Sequence, residues 1–236
     1  MNKEEFVKEI FKLCPWISLK TIELFDLYRV FVQLNNAQFN LSRLVSDELI
    51  YDQYFLSSII PFIRLNNLNF HDKLTLLDIG TGSGIPGVVL KIIFPNLQLT
   101  LLDANKKKCN FLSQLISKLG LTDVTIVNER CEEYIKNHYE QYDIVTSRAV
   151  ASLNKILELS AGFAKVGGHI ISLKSQNYYS ELSESKNTIS LLSLKLVVID
   201  EFQSFSHQFV TLDFVKQEKT NRIYPRKWSE IIKKPL

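Results

Sequence analysis

The run Leu76-Leu77-Asp78-Ile79-Gly80-Thr81-Gly82-Ser83-Gly84-Ile85-Pro86-Gly87 constrains this chain more than any other stretch. An apolar strand ends in a carboxylate, and glycines follow at 80, 82 and 84. Pro86 presets the backbone for a helix, because its ring fixes φ and a first helical turn has no use for its missing N–H. The glycines let the backbone turn sharply and approach a ligand with no Cβ in the way. Strand, glycine loop and helix in this order build an adenosine-sized pocket at the carboxyl end of a parallel sheet.

Two ligands compete for such a loop. Gly82-x-Gly84-x-x-Gly87 satisfies the dinucleotide fingerprint, with Asp103 where a ribose-binding acid is expected, and a pyrophosphate would then sit on the helix N-terminus. Asp78 stands against that reading, since a carboxylate at the loop repels phosphate. It suits a ligand carrying an ammonium and a sulfonium, which is S-adenosylmethionine, held by Asp78, Gly80, Gly82 and Gly84. A second apolar strand, Leu97 to Leu102, ends at Asp103, which can accept both ribose hydroxyls of either cofactor or simply begin the next helix. A third, Val124 to Val127, leads to Asn128-Glu129-Arg130-Cys131-Glu132-Glu133, whose polar groups either read an adenine edge or open a helix.

The rest of the pattern predicts an α/β fold. Residues 1–70 read as a helical cap, with apolar faces at Phe6, Ile10, Phe11 and Leu13 and at Leu24, Leu27, Tyr28, Phe31 and Leu34. Another helix opens at Ser46-Asp47-Glu48 and is expected to end before Pro61. Residues 71–236 read as the core. Strands near 74–78, 98–102, 124–127, 142–147 and 169–173 alternate with helices near 87–94, 106–119, 132–137 and 152–165, which gives a parallel sheet covered on both faces. Residues 193–202 and 208–216 form a terminal antiparallel hairpin. The expectation is a class I S-adenosylmethionine-dependent methyltransferase plan: a Rossmann-like, mostly parallel seven-stranded sheet plus the N-terminal helical cap. A two-domain dehydrogenase would need a second half that 236 residues leave no room for.

Composition narrows the setting. No stretch approaches the roughly 20 apolar residues of a membrane span, and Met1-Asn2-Lys3-Glu4-Glu5 lacks the apolar segment of a secretory signal, so a cytoplasmic protein is expected. Cys14, Cys109 and Cys131 are odd in number and widely spaced, which favours reduced thiols; no cysteine or histidine spacing suggests a metal. The net charge of +3 is small, but its distribution is uneven. Lys216, Lys219, Arg222, Arg226, Lys227, Lys233 and Lys234 face only Glu218 and Glu230 in the tail. Tyr224 and Trp228 lie among these cations, a composition that suits phosphate contacts beside stacking faces, although a solvated basic end has the same composition.

The fourth strand, Tyr142 to Ser147, with Arg148-Ala149 behind it, is where acceptor chemistry sits in such sheets. The chain has neither an Asn/Asp-Pro-Pro-aromatic sequence for an exocyclic amine nor a Pro-Cys nucleophile for a pyrimidine carbon. An acceptor that is already nucleophilic remains. Guanine N7 carries a lone pair and no proton, so catalysis there is positioning. Arg148 would have to leave N7 free and reach O6 or a phosphate; the alternative is a structural ion pair with Asp143 or Glu132.

These residues resemble the bacterial small-subunit ribosomal RNA guanine-N7 methyltransferases, formerly called glucose-inhibited division protein B. The resemblance rests on Asn40-Leu41-Ser42, on Asp78 to Gly87, on Ser147-Arg148-Ala149-Val150-Ala151-Ser152-Leu153, and on Tyr224-Pro225-Arg226-Lys227 with Lys233-Lys234-Pro235-Leu236. It implies S-adenosylmethionine as donor, a guanine of small-subunit (16S) rRNA or a ribosomal subunit particle as partner, and donor contacts at Gly80, Ile85, Cys131, Glu132 and Arg148. Asp78, Gly82, Gly84 and Asp103 join that set on charge and loop geometry. Arg222, Arg226, Lys227, Lys233 and Lys234 are the candidate RNA contacts. The chain departs from the family at Tyr54 and Ser57-Ser58, at Lys174-Ser175, and at Trp228-Ser229-Glu230-Ile231-Ile232. Two other readings stay open on sequence alone: an NAD(P)-dependent oxidoreductase, and a non-catalytic RNA-binding or ribosome-assembly protein.

Overall fold

A computed structural model describes residues 1–39, 46–65, 68–203 and 208–236. Asn40-Leu41-Ser42 and the polar link of the hairpin from residue 204 to 207 therefore lie outside the described residues. Seven strands form one sheet: β1 (Thr75–Ile79), β2 (Gln98–Leu102), β3 (Val124–Val127), β4 (Tyr142–Arg148), β5 (Ala164–Lys174), β6 (Leu194–Gln203) and β7 (Gln208–Lys216). Their order is β3-β2-β1-β4-β5-β7-β6, with β7 antiparallel to both its neighbours and the other pairs parallel. The order reverses between β1 and β4, and at such a reversal the crossover helices diverge to opposite faces and leave a cleft at the strands' carboxyl ends.

Strand alternation divides the core into two halves. Leu76, Leu99, Leu101, Ile144 and Ile171 join a cluster with α1 (Lys3–Leu13), α2 (Leu19–Phe39), α5 (Gly87–Ile93) and α6 (Lys106–Leu119). Leu77, Ile79, Leu102, Val145, Ile170, Leu212 and Phe214 join the other, with α7 (Cys131–Tyr134), α8 (Leu153–Ala161) and Ile231. The N-terminal helices thus share one continuous core with the first face of the sheet.

Local chemistry sets the helix ends. Asn2 and Glu5 form a reciprocal capping box on α1. Asn105 caps α6 by accepting from the Lys107 and Lys108 amides, and Gly120, at φ 63°, ends it in the left-handed region. Between α3 (Asp47–Leu49) and α4 (Ser57–Ile63) runs a seven-residue π-helix, Ile50–Leu56, all of it buried. This helical run passes through Pro61, contrary to expectation; the ring is buried in the core, and its missing N–H removes only one ladder bond. Helix α8 stops at Ala161, earlier than the periodicity suggests, because residues 164–174 are drawn into a longer β5 beside β4. Two short helices, α9 (Tyr178–Glu184) and α10 (Lys186–Leu191), and a terminal α11 (Trp228–Lys233) carry no clear periodic signal in the sequence.

Among the described residues no helix is long and apolar enough to cross a membrane, and no group of His, Cys, Asp or Glu could hold a metal ion. Cys14, Cys109 and Cys131 are free and buried; desolvation pushes the Cys14 thiol up to about 12 and Cys131 well above its ordinary value.

Candidate functional site

The glycine loop folds as the sequence requires. Gly80, Gly82 and Gly84 all have positive φ, at 65°, 62° and 99°. A Cβ on Gly80 would lie 2.7 Å from Val150 Cγ2, and one on Gly84 would lie 2.6 Å from Val88 Cγ2 and 2.9 Å from the Tyr28 hydroxyl. The first glycine thus makes room on the loop's outer side and the third lets it press against the helical layer. That layer holds the loop by two tyrosines. Tyr28 donates to the Ser83 carbonyl at 2.6 Å, and Ser83 Oγ donates to the Tyr54 hydroxyl at 3.0 Å.

Asp78 lies beneath this loop, fully buried. Its Oδ2 accepts from Thr81 Oγ1 at 2.7 Å and from the Gly87 amide at 2.9 Å, where α5 begins. Its Oδ1 has no partner among the described residues. Desolvation raises the carboxyl to about 7, against the lowering effect of Thr81, the Gly87 amide and Arg148. A pyrophosphate on the first turn of α5 would need the Gly87 amide that this carboxylate occupies, so the dinucleotide reading through Gly82, Gly84 and Gly87 loses its anion site. A cationic donor fits the buried, half-satisfied acid.

A cavity of about 170 Å³ opens at the carboxyl ends of β1, β2 and β3. Ile79, Gly80, Leu102, Asp103, Ala104, Glu129, Arg130, Cys131, Glu132, Val150, Leu159 and Trp228 line it. An apolar slot with carboxylates at its edge matches a flat heterocycle with ribose hydroxyls and a net positive tail. Asp103, at the β2 tip, accepts from the Gly82 amide at 3.0 Å and the Asn105 amide at 2.8 Å, so it also braces the loop. The buried Cys131 thiol contacts the Leu159 carbonyl at 3.5 Å and serves as wall.

Of the residues expected to hold the donor, Gly80, Asp103, Cys131 and Glu132 come together around this cavity. Asp78, Gly82, Gly84, Ile85 and Arg148 do not line it. The reason for Asp78 is strand alternation: Leu77 and Ile79 face the second core cluster, which sends Asp78 to the opposite face, under the loop.

Arg148 ends β4, and its side chain crosses to the π-helix. Nη1 donates to Ser57 Oγ at 2.9 Å and Ser58 Oγ at 3.0 Å, and Nη2 donates to the Gln53 carbonyl at 2.6 Å. Burial lowers its basicity to about 10, so the guanidinium stays charged at neutral pH. The ion pair with Asp143 or Glu132 is not formed; Asp143 binds Lys165 at 2.6 Å and Thr75. Ser57 and Ser58 therefore hold the arginine. A second cleft of about 290 Å³ lies beyond, lined by Arg148, Ala149, Ala151, Leu173, Lys174, Ser175, Glu181 and Phe209. The 148–151 segment separates the two spaces, with Ala149 at φ 54° and Val150 turned toward the first.

The tail is folded onto the core. Arg226 grips the fully buried Glu158 through Nε at 2.8 Å and Nη2 at 2.6 Å, so its fork is already engaged. Lys216 is buried too, its ammonium on the Ala164 carbonyl at 2.8 Å and near Glu140. Arg222, Lys227, Lys233 and Lys234 are exposed. The two aromatics turn inward rather than out: Tyr224 and Trp228 both pack against the second core cluster, and Trp228 also lines the cavity. Trp228, Val150, Tyr28 and Tyr54 were missing from the expected site. Val150 follows the Ser-Arg-Ala stretch and Trp228 is a large ring in a basic tail; the tyrosines sat on helical faces indistinguishable from core.

Comparison with known proteins gives the family. A family profile described as "GidB: rRNA small subunit methyltransferase G" matches residues 21–210. The chain is 44% identical over 236 residues to "Ribosomal RNA small subunit methyltransferase G" of Ureaplasma parvum serovar 3, covering 100% of each. It is 41% identical over 234 residues to the protein of that name from Malacoplasma penetrans, covering 98% of each. Among solved structures, a ribosomal protein L11 methylase from Lactobacillus delbrueckii subsp. bulgaricus shares the fold, with a TM-score of 0.54 and 14% identity over 70% of this chain and 79% of that one. The chain belongs to the rRNA small subunit methyltransferase G family, GidB, the S-adenosylmethionine-dependent enzymes that methylate a guanine of small-subunit rRNA.

Proposed function

We propose that the cavity beside Gly80, Asp103 and Glu132 holds the donor and that the cleft beside Arg148 receives the guanine, with N7 as the attacking atom. The observation that carries this reading is the 148–151 segment, which stands between an adenosine-sized cavity and a second cleft at the carboxyl ends of β4 and β5. When bound, S-adenosylmethionine supplies an electrophilic methyl group on a cationic sulfur. Asp103 is placed to accept the ribose hydroxyls, while Asp78 acts from beneath the loop, which it holds through Thr81 and the Gly87 amide. N7 needs no base, so the chain's contribution is orientation. Arg148 is held by Ser57, Ser58 and Gln53, which fixes its charge beside the cleft without aiming a free donor at N7. Lys227, Lys233 and Lys234 are exposed and can meet phosphates, as can Arg222 from its place over the Tyr139 ring, whereas Arg226 is engaged with Glu158.

The partner in this reading is small-subunit rRNA, naked or within a ribosomal particle, which carries a cytoplasmic location with it. The direct test is a modification map of that rRNA from a strain lacking the protein. One 7-methylguanosine should be missing and should return when the purified protein and S-adenosylmethionine are added back to the subunit or its RNA. An unchanged map rejects the reading.

A further inference from the structure

Trp228 is the first residue of α11, yet it lines the cavity on the far side of the sheet's carboxyl edge together with Cys131, Glu132 and Leu159. Its position is fixed from both directions. Two residues before it, Arg226 is clamped on buried Glu158, and three residues after it, Ile231 is fully buried. The last carbonyl of the chain, on Leu236, accepts from Thr188 at 2.8 Å. The indole itself is only half-buried, and among the described residues no other ring stacks on it. An anchored aromatic that leaves part of its surface in an apolar slot offers a contact for a flat heterocycle.

We propose that Trp228 forms the outer wall of the adenosine half of the donor site, so that the C-terminal segment contributes a binding residue as well as cationic charge. This rests on the reading of the cavity as the donor site. The adenosine half is assigned because Arg226, two residues before Trp228, is clamped on Glu158, the neighbour of Leu159, whose carbonyl contacts Cys131 at the start of α7 after β3; Leu159, Cys131, Glu132 and Trp228 all line the cavity. Gly80 and Val150, which touch one another, form the part of the lining next to the glycine loop, toward which a methionine tail would run.

The chain has two tryptophans, so a Trp16→Phe variant reports on Trp228 alone. In that variant, saturating S-adenosylhomocysteine should change the emission intensity and protect the indole from acrylamide quenching. Trp228→Leu should bind S-adenosylhomocysteine roughly five- to tenfold more weakly by calorimetry, Trp228→Phe should recover most of that loss, and adenosine should lose the same factor. If the Trp16→Phe emission and quenching are unmoved while calorimetry shows binding, the proposal falls and the donor site stands. A loss confined to S-adenosylhomocysteine, with adenosine unaffected, also overturns it, because the contact would be with the amino-acid half. Should Trp228→Leu fail to fold, the quenching measurement, which keeps the indole in place, decides alone. No binding of S-adenosylhomocysteine to the unaltered protein would instead remove the donor-site reading itself.

Discussion

Asp78→Asn should flatten the pH dependence of folding stability between pH 5 and pH 7. Burial raises the Asp78 carboxyl from 3.8 to about 7 in the folded chain, while an unfolded chain ionises it at its ordinary value. Below pH 4 both states are protonated and the group contributes nothing to the balance. Between 4 and 7 the unfolded state releases a proton that the folded state retains, so stability falls as pH rises, by about 1.4 kcal/mol per pH unit. Above 7 both states are ionised and the loss levels off. From pH 5 to pH 7 the unaltered protein should therefore lose about 2–3 kcal/mol that the amide variant does not. The variant keeps one oxygen for Thr81 and the Gly87 amide, and its NH2 replaces the unpartnered oxygen at a cost of about 1–3 kcal/mol that does not depend on pH. Urea unfolding of both proteins at pH 5, 6, 7 and 8 measures the difference of the two profiles, in which that constant cancels. Parallel profiles would show that Asp78 ionises normally in the folded protein, and the argument that burial raises its carboxyl would fail.

Removing the Tyr28 hydroxyl (Tyr28→Phe) deletes the 2.6 Å bond to the Ser83 carbonyl; it should cost about 1 kcal/mol, lower Tm by about 3 °C and weaken S-adenosylhomocysteine binding in calorimetry. Arg226→Ala leaves the buried Glu158 carboxylate without its partner and should destabilise the chain by about 3–5 kcal/mol in urea titrations. Lys233→Ala and Lys234→Ala, both at exposed positions, should leave stability within about 0.5 kcal/mol while each lowers the slope of log K against log salt for an rRNA fragment by roughly one. A guanine displayed in a loop should be methylated well ahead of the same guanine in a perfect duplex, whose narrow A-form major groove hides N7; radiolabel transfer to the two oligonucleotides makes the comparison.

The sheet was legible because its strands are apolar runs that stop at a carboxylate or a turn residue, and β2, β3 and α6 begin and end where the pattern says. The cavity at the carboxyl ends of β1 to β3 was half legible. Asp103 at the β2 tip and Glu132 in the helix that follows β3 come after adjacent strands, so chain order alone puts them around one cleft, but Asp78 needed its face of β1, which a two-residue period decides only once the sheet is assembled. The π-helix has no composition of its own, so nothing in Ile50-Tyr51-Asp52-Gln53 announced that its carbonyls would receive an arginine from 95 residues away. The tail misled for a related reason. Its cations and rings read as phosphate contacts beside stacking faces, or as a solvated basic end, while in the fold Arg226 clamps Glu158 across 68 residues and Tyr224 and Trp228 pack against the core.

If the cavity holds the donor as proposed, the carboxylate under the glycine loop bears on which metabolites the enzyme ignores. Most adenosine carriers in a bacterium, ATP and the pyridine nucleotides among them, present the same purine and ribose and differ in the charge of the group attached at the ribose 5′ carbon. A pocket that reads only the nucleoside would be flooded by them. On the proposed donor site, Asp78 already occupies the Gly87 amide at the protein's own helix start, so the anion site those carriers would use is filled and discrimination would come from the tail rather than the base.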